Sequence, residues 1–331
     1  MKTRSLGHGG PSVSVLGVGA MSFAGIYGNA TVEESHAILD AALDAGVTHV
    51  DTANVYGMGR SEEIIGSYLA RRKGETPFVL ATKAGISRDP ETGRNFDNSP
   101  AHIEDELDKS LARLGVERIE LFYLHRLDPD VPVEEVVGTY ARLVEAGKIG
   151  RIGLSEVAPT TLARASEIHP IAAVQSEYSL QTRSPELGLV QACERLGISL
   201  VAFSPVGRGL LTDAPPTPEG IETSAFMKSN PRFSGGNLER NLTASQPLRD
   251  LAGEAGCSTA ALAIAWVLAQ SLSTLVIPGT RNCGHFAELV EGANLGLEAD
   301  LKAEIERRLP VGWCHGDRYS TRQWTGPQKY C

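Results

Sequence analysis

Four residues with chemically active side chains occupy related positions in this sequence. Asp51, Lys83 and His125 each follow an apolar stretch that predicts a buried strand, and Tyr56 lies on a glycine-punctuated turn after Asp51. A buried carboxylate is unfavourable unless a cation meets it, so Asp51 predicts a basic partner, which Lys83 could be. A neighbouring ammonium stabilises a phenolate, and a histidine can donate a hydrogen bond to the same oxygen or to a substrate carbonyl. Together they predict a device that protonates an oxygen as negative charge develops on it.

Each of these residues also has a purely structural interpretation. Asp51 and Lys83 could form an ion pair that only stabilises the fold. Tyr56 could simply pack, and His125 could be a core histidine with satisfied hydrogen bonds. Core packing does not select four reactive groups at three neighbouring strand ends, so the joint arrangement favours catalysis.

The rest of the sequence alternates predicted helices and strands from Thr31 onward. Thr31 and Glu34 form a capping box at the first helix, and Gly46 ends it. The spacing of apolar residues predicts eight strands that alternate with helices. They could form either a closed parallel barrel or an open doubly wound sheet. Polar residues end six of them: Asp51, Lys83, His125, Ser155, Gln175 and Ser204. Only a barrel brings six strand ends around one site, so we predict an α/β fold, a single (β/α)8 TIM barrel over residues 1–331.

Four segments outside this alternation have predicted roles of their own. Residues 2–15 predict a β-hairpin around a Gly-Gly-Pro turn. Residues 17–22 nearly match a dinucleotide-binding fingerprint but lack its third glycine, so their glycines more simply allow a close backbone approach. Residues 205–240, rich in Pro, Gly and Ser, predict a long surface loop that is either a lid or a disordered excursion. Extra helices precede an aromatic tail from residue 310, predicted to cover the rim.

Composition excludes several classes of function. The 31 basic and 40 acidic residues give a net charge of −9 without a basic stripe, which argues against nucleic acid and anionic membranes as partners. Five scattered cysteines indicate neither a disulfide framework nor a metal site and fit a reducing compartment. The N-terminus lacks the apolar core of a signal peptide, and the longest apolar run, residues 260–269, is too short to span a membrane. We therefore expect a cytoplasmic protein without a metal; the sequence says nothing about oligomeric state.

The sequence resembles the aldo-keto reductase family over nearly its whole length. The resemblance is carried by residues 17–23, 51–57, 61–63, 81–83, 123–126, 152–155, 203–205, 230–233 and 277–281. It implies a barrel that binds a nicotinamide dinucleotide without a Rossmann domain, and a catalytic tetrad of Asp51, Tyr56, Lys83 and His125. It also implies that hydride passes from the cofactor to a carbonyl carbon while Tyr56 protonates the oxygen.

The resemblance assigns the remaining site residues by region. For the cofactor it implies Ser155 and Gln175 at the carboxamide, Phe203 on the nicotinamide ring, Ser204, Val206, Arg208 and Gly209 at the pyrophosphate, Gly279, Thr280, Arg281 and Glu288 at the adenosine end, and Gly19, Ala20, Met21 and Glu156 among the further contacts. For the substrate it implies Tyr56 and His125. Arg126 is a candidate for binding an anionic group of the substrate but could equally be a structural ion-pair partner, and Tyr27, Trp313 and Trp324 could line the substrate pocket or equally be structural.

Three departures from the family pattern affect the choice of cofactor. Glu156 replaces a common asparagine, Leu289 stands where an asparagine often contacts adenine, and Gly284 and His285 add little positive charge. Arg281 remains as the best candidate for a 2′-phosphate. We therefore predict NADPH, with NADH as the alternative.

Three functions are consistent with this resemblance. The first is NADPH-dependent reduction of a small aldehyde or ketone, with a sugar aldehyde as one candidate. The second is an NAD-linked alcohol or sugar dehydrogenase that uses the same site. The third is a regulatory protein similar to the cofactor-holding β subunits of potassium channels, which the lack of an obvious interaction tail before the barrel makes the weakest.

Overall fold

The computed structural model describes residues 1–73, 76–87 and 95–331 of the chain. Strands β1 (Thr3–Ser5) and β2 (Ser12–Ser14) form the predicted N-terminal antiparallel hairpin. Eight parallel strands follow, each paired with its neighbours in sequence: β3 (Val18–Gly19), β4 (His49–Asp51), β5 (Val79–Ala84), β6 (Ile119–Leu124), β7 (Ile149–Ser155), β8 (Ile171–Glu177), β9 (Ser199–Phe203) and β10 (Thr274–Val276).

The first and last strands close this sheet into a barrel. Leu16, just before β3, pairs in parallel with Val276, and the amide of Gly17 donates to the carbonyl of Val276 at 2.8 Å. Because the strands are parallel, their carboxyl ends lie at one rim. The predicted (β/α)8 architecture is confirmed, and the open-sheet alternative is wrong.

Helices pack around the outside of the barrel and over its rim. The described helices are α1 (Val32–Asp44), α2 (Arg60–Arg71), α3 (Pro100–Leu114), α4 (Val133–Glu145), α5 (Pro159–Ile168), α6 (Leu189–Leu196), α7 (Pro218–Glu222), α8 (Ala225–Lys228), α9 (Asn237–Ala255), α10 (Thr259–Leu268), α11 (Cys283–Asn294) and α12 (Ala299–Arg308). Helix α1 begins with the predicted capping box: Thr31 accepts from the amide of Glu34, whose carboxylate accepts from the amide of Thr31.

Two apolar layers hold the barrel together. The larger layer lies between the strands and the helices, for example Ile38 of α1 and Trp266 of α10, both fully buried. The smaller layer fills the barrel interior, and the hairpin side chains Leu6 and Val13 belong to it. The hairpin therefore closes the barrel at the end opposite the strand carboxyl ends, which leaves the rim as the open end.

Residues 205–240 are more regular than the predicted surface loop. They contain α7, α8 and short 3-10 turns, and α9 already begins at Asn237. Thr217 and Ser224 cap the two short helices, whose Ile221 and Met227 are buried in a separate apolar cluster. A disordered excursion is therefore wrong for this segment, because local capping and a small core of its own order it.

Gly19 and Gly279 allow two backbone segments to approach closely at the rim. A Cβ at Gly19 would lie 2.4 Å from the carbonyl oxygen of Ile277, and one at Gly279 would lie 2.6 Å from that of Gly19. The predicted close approach is thus made to the protein's own chain. After Gly19 the chain forms a 3-10 turn, Ala20–Ala24, instead of the long helix that a dinucleotide fingerprint requires.

Within the described ranges no single helix is both long and apolar enough to cross a membrane. The pair α9 and α10 meets the criterion only when taken together, and a 96° bend separates the two helices. The same ranges contain no cluster of three or more His, Cys, Asp or Glu side chains placed to hold a metal ion.

Candidate active site

Asp51, Lys83, Tyr56 and His125 meet at the barrel rim. The Nζ of Lys83 donates to the carboxylate of Asp51, and both side chains are almost completely buried. The same Nζ lies 5.1 Å from the ring centroid of Tyr56. The rings of Tyr56 and His125 pack edge to face with centroids 5.8 Å apart. The fold brings together all four residues that the sequence singled out.

The lysine is held in place by more than its carboxylate partner. Nζ also donates to the backbone carbonyl of Thr52 at 2.7 Å. Burial disfavours the ammonium of Lys83, but Asp51 and Tyr56 outweigh this effect and raise its pKa above the ordinary value. Lys83 therefore presents a fixed positive charge to the phenol.

Gln175 connects this group to the opposite side of the barrel. Its Nε2 donates to the second carboxylate oxygen of Asp51 at 2.8 Å. The sequence assigned Gln175 only to the cofactor carboxamide, so its contact with Asp51 was missed. Tyr123 was missed as a neighbour of the group, although its ring centroid is 5.7 Å from Nζ of Lys83. Tyr123 precedes His125 by two residues at the end of β6, and side chains two apart along a strand share a face. This spacing could have predicted that Tyr123 lies near the group.

Ser155, Gln175 and Phe203 form the adjoining part of the rim. Ser155 and Gln175 are register partners on β7 and β8, and Phe203 is the partner of Glu177 at the end of β9. Ser155 and Gln175 are buried, and Phe203 is half-buried. The three side chains therefore lie at the ends of three neighbouring strands.

Arg208, predicted at the pyrophosphate, makes a buried ion pair. Its guanidinium donates to Glu177 at 3.0 Å and lies over the ring of Phe226. Arg232 donates to the other oxygen of Glu177 at 2.8 Å. Burial opposes ionisation of Glu177, but the nearby arginines prevail and lower its pKa to about 2. Glu177 and Arg232 were not predicted as site residues, although Arg232 lies in one of the stretches that resemble the family.

Glu156, a second predicted cofactor residue, is bound by the C-terminal tail, residues 310–331. Its carboxylate accepts from Arg318 at 2.9 Å, and its carbonyl accepts from the amide of Gln328 at 2.9 Å. The guanidinium of Arg318 lies 4.9 Å from the ring centroids of both Tyr319 and Trp324. The tail therefore covers the rim as predicted, and Arg318 is its anchor, which the sequence did not indicate.

Charge at this part of the rim is positive. Arg208, Arg232 and Arg318 face the side-chain carboxylates of Glu156 and Glu177, so three guanidinium groups meet two carboxylates. The Nε atoms of all three arginines have no partner among the described residues. This part of the rim therefore carries one more positive charge than its two carboxylates balance.

The residues predicted at the adenosine end lie together before and within α11. Arg281 donates to the backbone carbonyls of Tyr27, at 3.1 Å, and Asn29. The hydroxyl of Ser22, next to the predicted residues 19–21, donates to the carbonyl of Thr280 at 3.1 Å. Arg281 thus ties the segment after β3 to the segment after β10, while Glu288 is half-buried on α11.

The other predicted cofactor residues have less distinctive surroundings. Ser204 and Arg208 adopt positive φ angles of 51° and 57°, as the turn after β9 requires, and Gly209 follows with φ 92°. Val206 and Met21 are half-buried, whereas Ala20 is fully buried. A buried Ala20 can offer only its backbone, and its carbonyl already accepts from Ser61 at 2.8 Å.

The predicted substrate residues divide into two groups. Arg126 lies beside His125 and donates to the hydroxyl of Ser155 at 3.1 Å. Tyr27 and Trp313 instead belong to the apolar cluster of residues 205–240, and the indole of Trp313 donates to the carbonyl of Leu180 at 2.8 Å. Burial raises the pKa of Tyr27 to about 12, so its phenol stays neutral. Arg126 therefore lies beside His125, while the phenol of Tyr27 is close enough to Tyr56 for the two groups to interact electrostatically.

A parallel eight-stranded barrel with a buried acid–lysine pair, a tyrosine and a histidine at its carboxyl rim defines a class of barrel oxidoreductases. The profile described as the Aldo/keto reductase family matches residues 15–308. The chain belongs to the aldo/keto reductase family.

Individual relatives cover nearly the whole chain. It is 37% identical over 321 residues to the aldo-keto reductase yakc of Schizosaccharomyces pombe, whose name specifies NADP(+), with 96% of this chain and 94% of that protein covered. It is 38% identical to the probable aldo-keto reductase 1 of Glycine max, with 95% and 90% covered. Among solved structures it is similar to the glycerol dehydrogenase AKR11B4 from Gluconobacter oxydans, with 28% identity, a TM-score of 0.78, and 90% and 92% covered.

Proposed function

We propose that the protein is an NADPH-dependent reductase of a small aldehyde or ketone, a sugar aldehyde being one candidate, with Tyr56 as the proton donor. The observation that carries the proposal is the meeting of Tyr56 and His125 with the buried Lys83–Asp51 pair. When bound, NADPH supplies the hydride for the carbonyl carbon. Ser155, Gln175 and Phe203 would hold its nicotinamide end, and the arginine-rich rim favours its phosphates.

Side chains of the protein supply the proton that the carbonyl oxygen receives. His125 orients the carbonyl oxygen toward the phenol, and Tyr56 donates its proton as charge develops on that oxygen. Lys83 stabilises the phenolate that remains, and Asp51 holds the ammonium at the right position. The tail and residues 205–240 surround the rim and reduce access of water to it.

Assays with both cofactors test this function. Fluorescence titration with NADPH and NADH, followed by a panel of aldehydes and ketones, is expected to show tighter binding of NADPH and reduction of at least one carbonyl class. Reduction that is absent across the panel, with oxidation of alcohols by NAD(+) present, would support a dehydrogenase instead. The similarity to a glycerol dehydrogenase favours that second candidate. The scattered free cysteines fit the cytoplasm as the compartment of either enzyme.

Replacing Arg281 with alanine is expected to weaken NADPH binding about tenfold and NADH binding much less. A charge-assisted hydrogen bond to a phosphate is worth about 1.5–3 kcal/mol, and only NADPH carries the 2′-phosphate. Arg281 can turn toward that phosphate because its present partners are two backbone carbonyls. Arg240→Ala on the exposed face of α9 is the matched control. An equal loss for the two cofactors would show that Arg281 only ties the two segments together.

Arg126 is proposed to bind an anionic group of the substrate. Its guanidinium contacts the carbonyl of His125 and the hydroxyl of Ser155, and none of the carboxylates in the described part of the chain pairs with it. Arg126→Gln keeps hydrogen-bond donors but removes the charge. We expect KM to rise about tenfold for a carboxylate-bearing aldehyde and less than about twofold for its neutral analogue. Arg322→Gln in the exposed part of the tail is the control, and equal effects on both aldehydes would contradict the assignment.

A further inference from the structure

His49 lies inside the barrel, one layer below the tetrad. It precedes Asp51 by two residues on β4, and alternate side chains of a strand share a face, so both enter the barrel interior. The imidazole is only 6% exposed, and neither ring nitrogen has a hydrogen-bond partner in the described residues. A buried polar group without a protein partner commonly binds an internal water.

A small cavity adjoins this imidazole. It is lined by His49, Asp51 and Tyr123, and its other walls are apolar, among them Leu6 of the hairpin. It has room for about one water molecule. Leu6 also belongs to the interior apolar layer that closes the barrel, so a water at this position lies above that layer.

Gly17 fixes the position of the imidazole. A Cβ at residue 17 would lie 2.1 Å from Nε2 of His49. The ring therefore packs directly against the backbone just before β3, and its place depends on the absence of a side chain there.

We propose that His49 is a positioning residue, which through one buried water holds the carboxylate of Asp51 against Lys83. The inference rests on the proposed function, because Asp51 matters to it through the lysine beside Tyr56. Asp51 already accepts from Lys83 and Gln175, and its two oxygens retain the capacity to accept from a water as well. A bridging water between the two side chains is supported by the imidazole without a hydrogen-bond partner among the described residues and by the cavity that it shares with Asp51.

The imidazole acts here as a neutral group. Burial lowers the pKa of His49 to about 4, so near neutral pH it has one donor and one acceptor nitrogen. The titratable groups that face the cavity are Asp51 on its own strand and Tyr123 on β6, with Lys83 bound to Asp51. A hydrogen bond relayed from the neutral ring favours the ionised form of Asp51.

Two substitutions and one control test the proposal. His49→Phe removes both nitrogens, whereas His49→Gln keeps a donor and an acceptor. We expect His49→Phe to lower kcat about tenfold, to leave KM within about twofold, and to move the acid limb of the rate profile up by roughly one pH unit, because Asp51 is then protonated more easily. His49→Gln is expected to restore the profile. His36→Phe, at a buried histidine on α1 that contacts Ser67 outside the barrel, should leave it unchanged.

A high-resolution crystal structure of the unaltered protein gives an independent readout. We expect a water within hydrogen-bond distance of both His49 and Asp51, and its loss in His49→Phe. A dry cavity in the unaltered protein, or a His49→Phe enzyme with the original pH profile, would overturn the proposal. If Tyr56→Phe still reduces carbonyls, the proposed function fails instead, while the crystallographic water still decides the role of His49. The unaltered structure is decisive even if His49→Phe does not fold.

Discussion

Replacing Tyr56 with phenylalanine is expected to lower carbonyl reduction by about 10²–10⁴-fold. The substitution removes one oxygen, the proposed proton donor, and retains the ring that packs against His125. Neither NADPH affinity nor the free energy of unfolding should change substantially, because Tyr56 is half-buried and lies outside the core layers. The measurement is kcat/KM over a carbonyl panel, together with a fluorescence titration of the cofactor.

Tyr68→Phe provides the matched control for this variant. Tyr68 lies on α2, and its hydroxyl donates to Asp40 at 2.6 Å, away from the rim. Its loss should reduce stability by about 1 kcal/mol and leave kcat/KM unaltered. If Tyr56→Phe retained full activity on every carbonyl that the enzyme reduces, Tyr56 would not be the proton donor.

Replacing Lys83 with methionine is expected to reduce both stability and activity. The side chain of Lys83 is fully buried, and its loss leaves the carboxylate of Asp51 inside the barrel without its cation. Removing one partner of a buried pair costs about 3–5 kcal/mol of unfolding free energy. Reduction should fall by about 10²-fold or more, because no cation then stabilises the phenolate of Tyr56. Chemical denaturation and kcat/KM measure the two effects separately.

The double variant Asp51→Asn with Lys83→Met separates structure from catalysis. It removes both charges, and the asparagine keeps an oxygen for the amide of Gln175. Replacing both members of a buried ion pair is often neutral for stability, so most of the lost unfolding free energy should return. Activity should stay low. Recovery of activity together with stability would mean that the pair is only structural and that Lys83 has no role at the phenol.

The order of the barrel and the position of its rim could be predicted from the sequence. Apolar periodicity, the capping box at Thr31 and the polar residue ending each strand are local patterns, and a closed parallel barrel is the one arrangement that satisfies all of them. The meeting of Asp51 with Lys83 followed from the same reasoning, since adjacent parallel strands place their carboxyl ends side by side. These features depend on short stretches of chain and on general rules of topology.

The helices within residues 205–240 were not predicted, because their packing depends on contacts that a local pattern does not show. Glycine and proline are typical of loops, but Thr217 and Ser224 cap short helices between them, and the cluster that buries Met227 draws on residues far along the chain. A high content of glycine and proline indicates where helices and strands end. It does not indicate whether the segments between those ends pack into ordered structure.

The sequence by itself determined the barrel and which four residues meet at its rim, and it predicted the proton chemistry that we propose for them. Only the tertiary structure decided which partners the buried charges take. Arg208 binds Glu177, and Arg318 of the tail binds Glu156. Arg318 and Glu156 are 162 residues apart, and such contacts depend on how whole elements pack. Desolvation forces each buried charge to find a partner, but the three-dimensional arrangement, not the local pattern, determines which one is within reach.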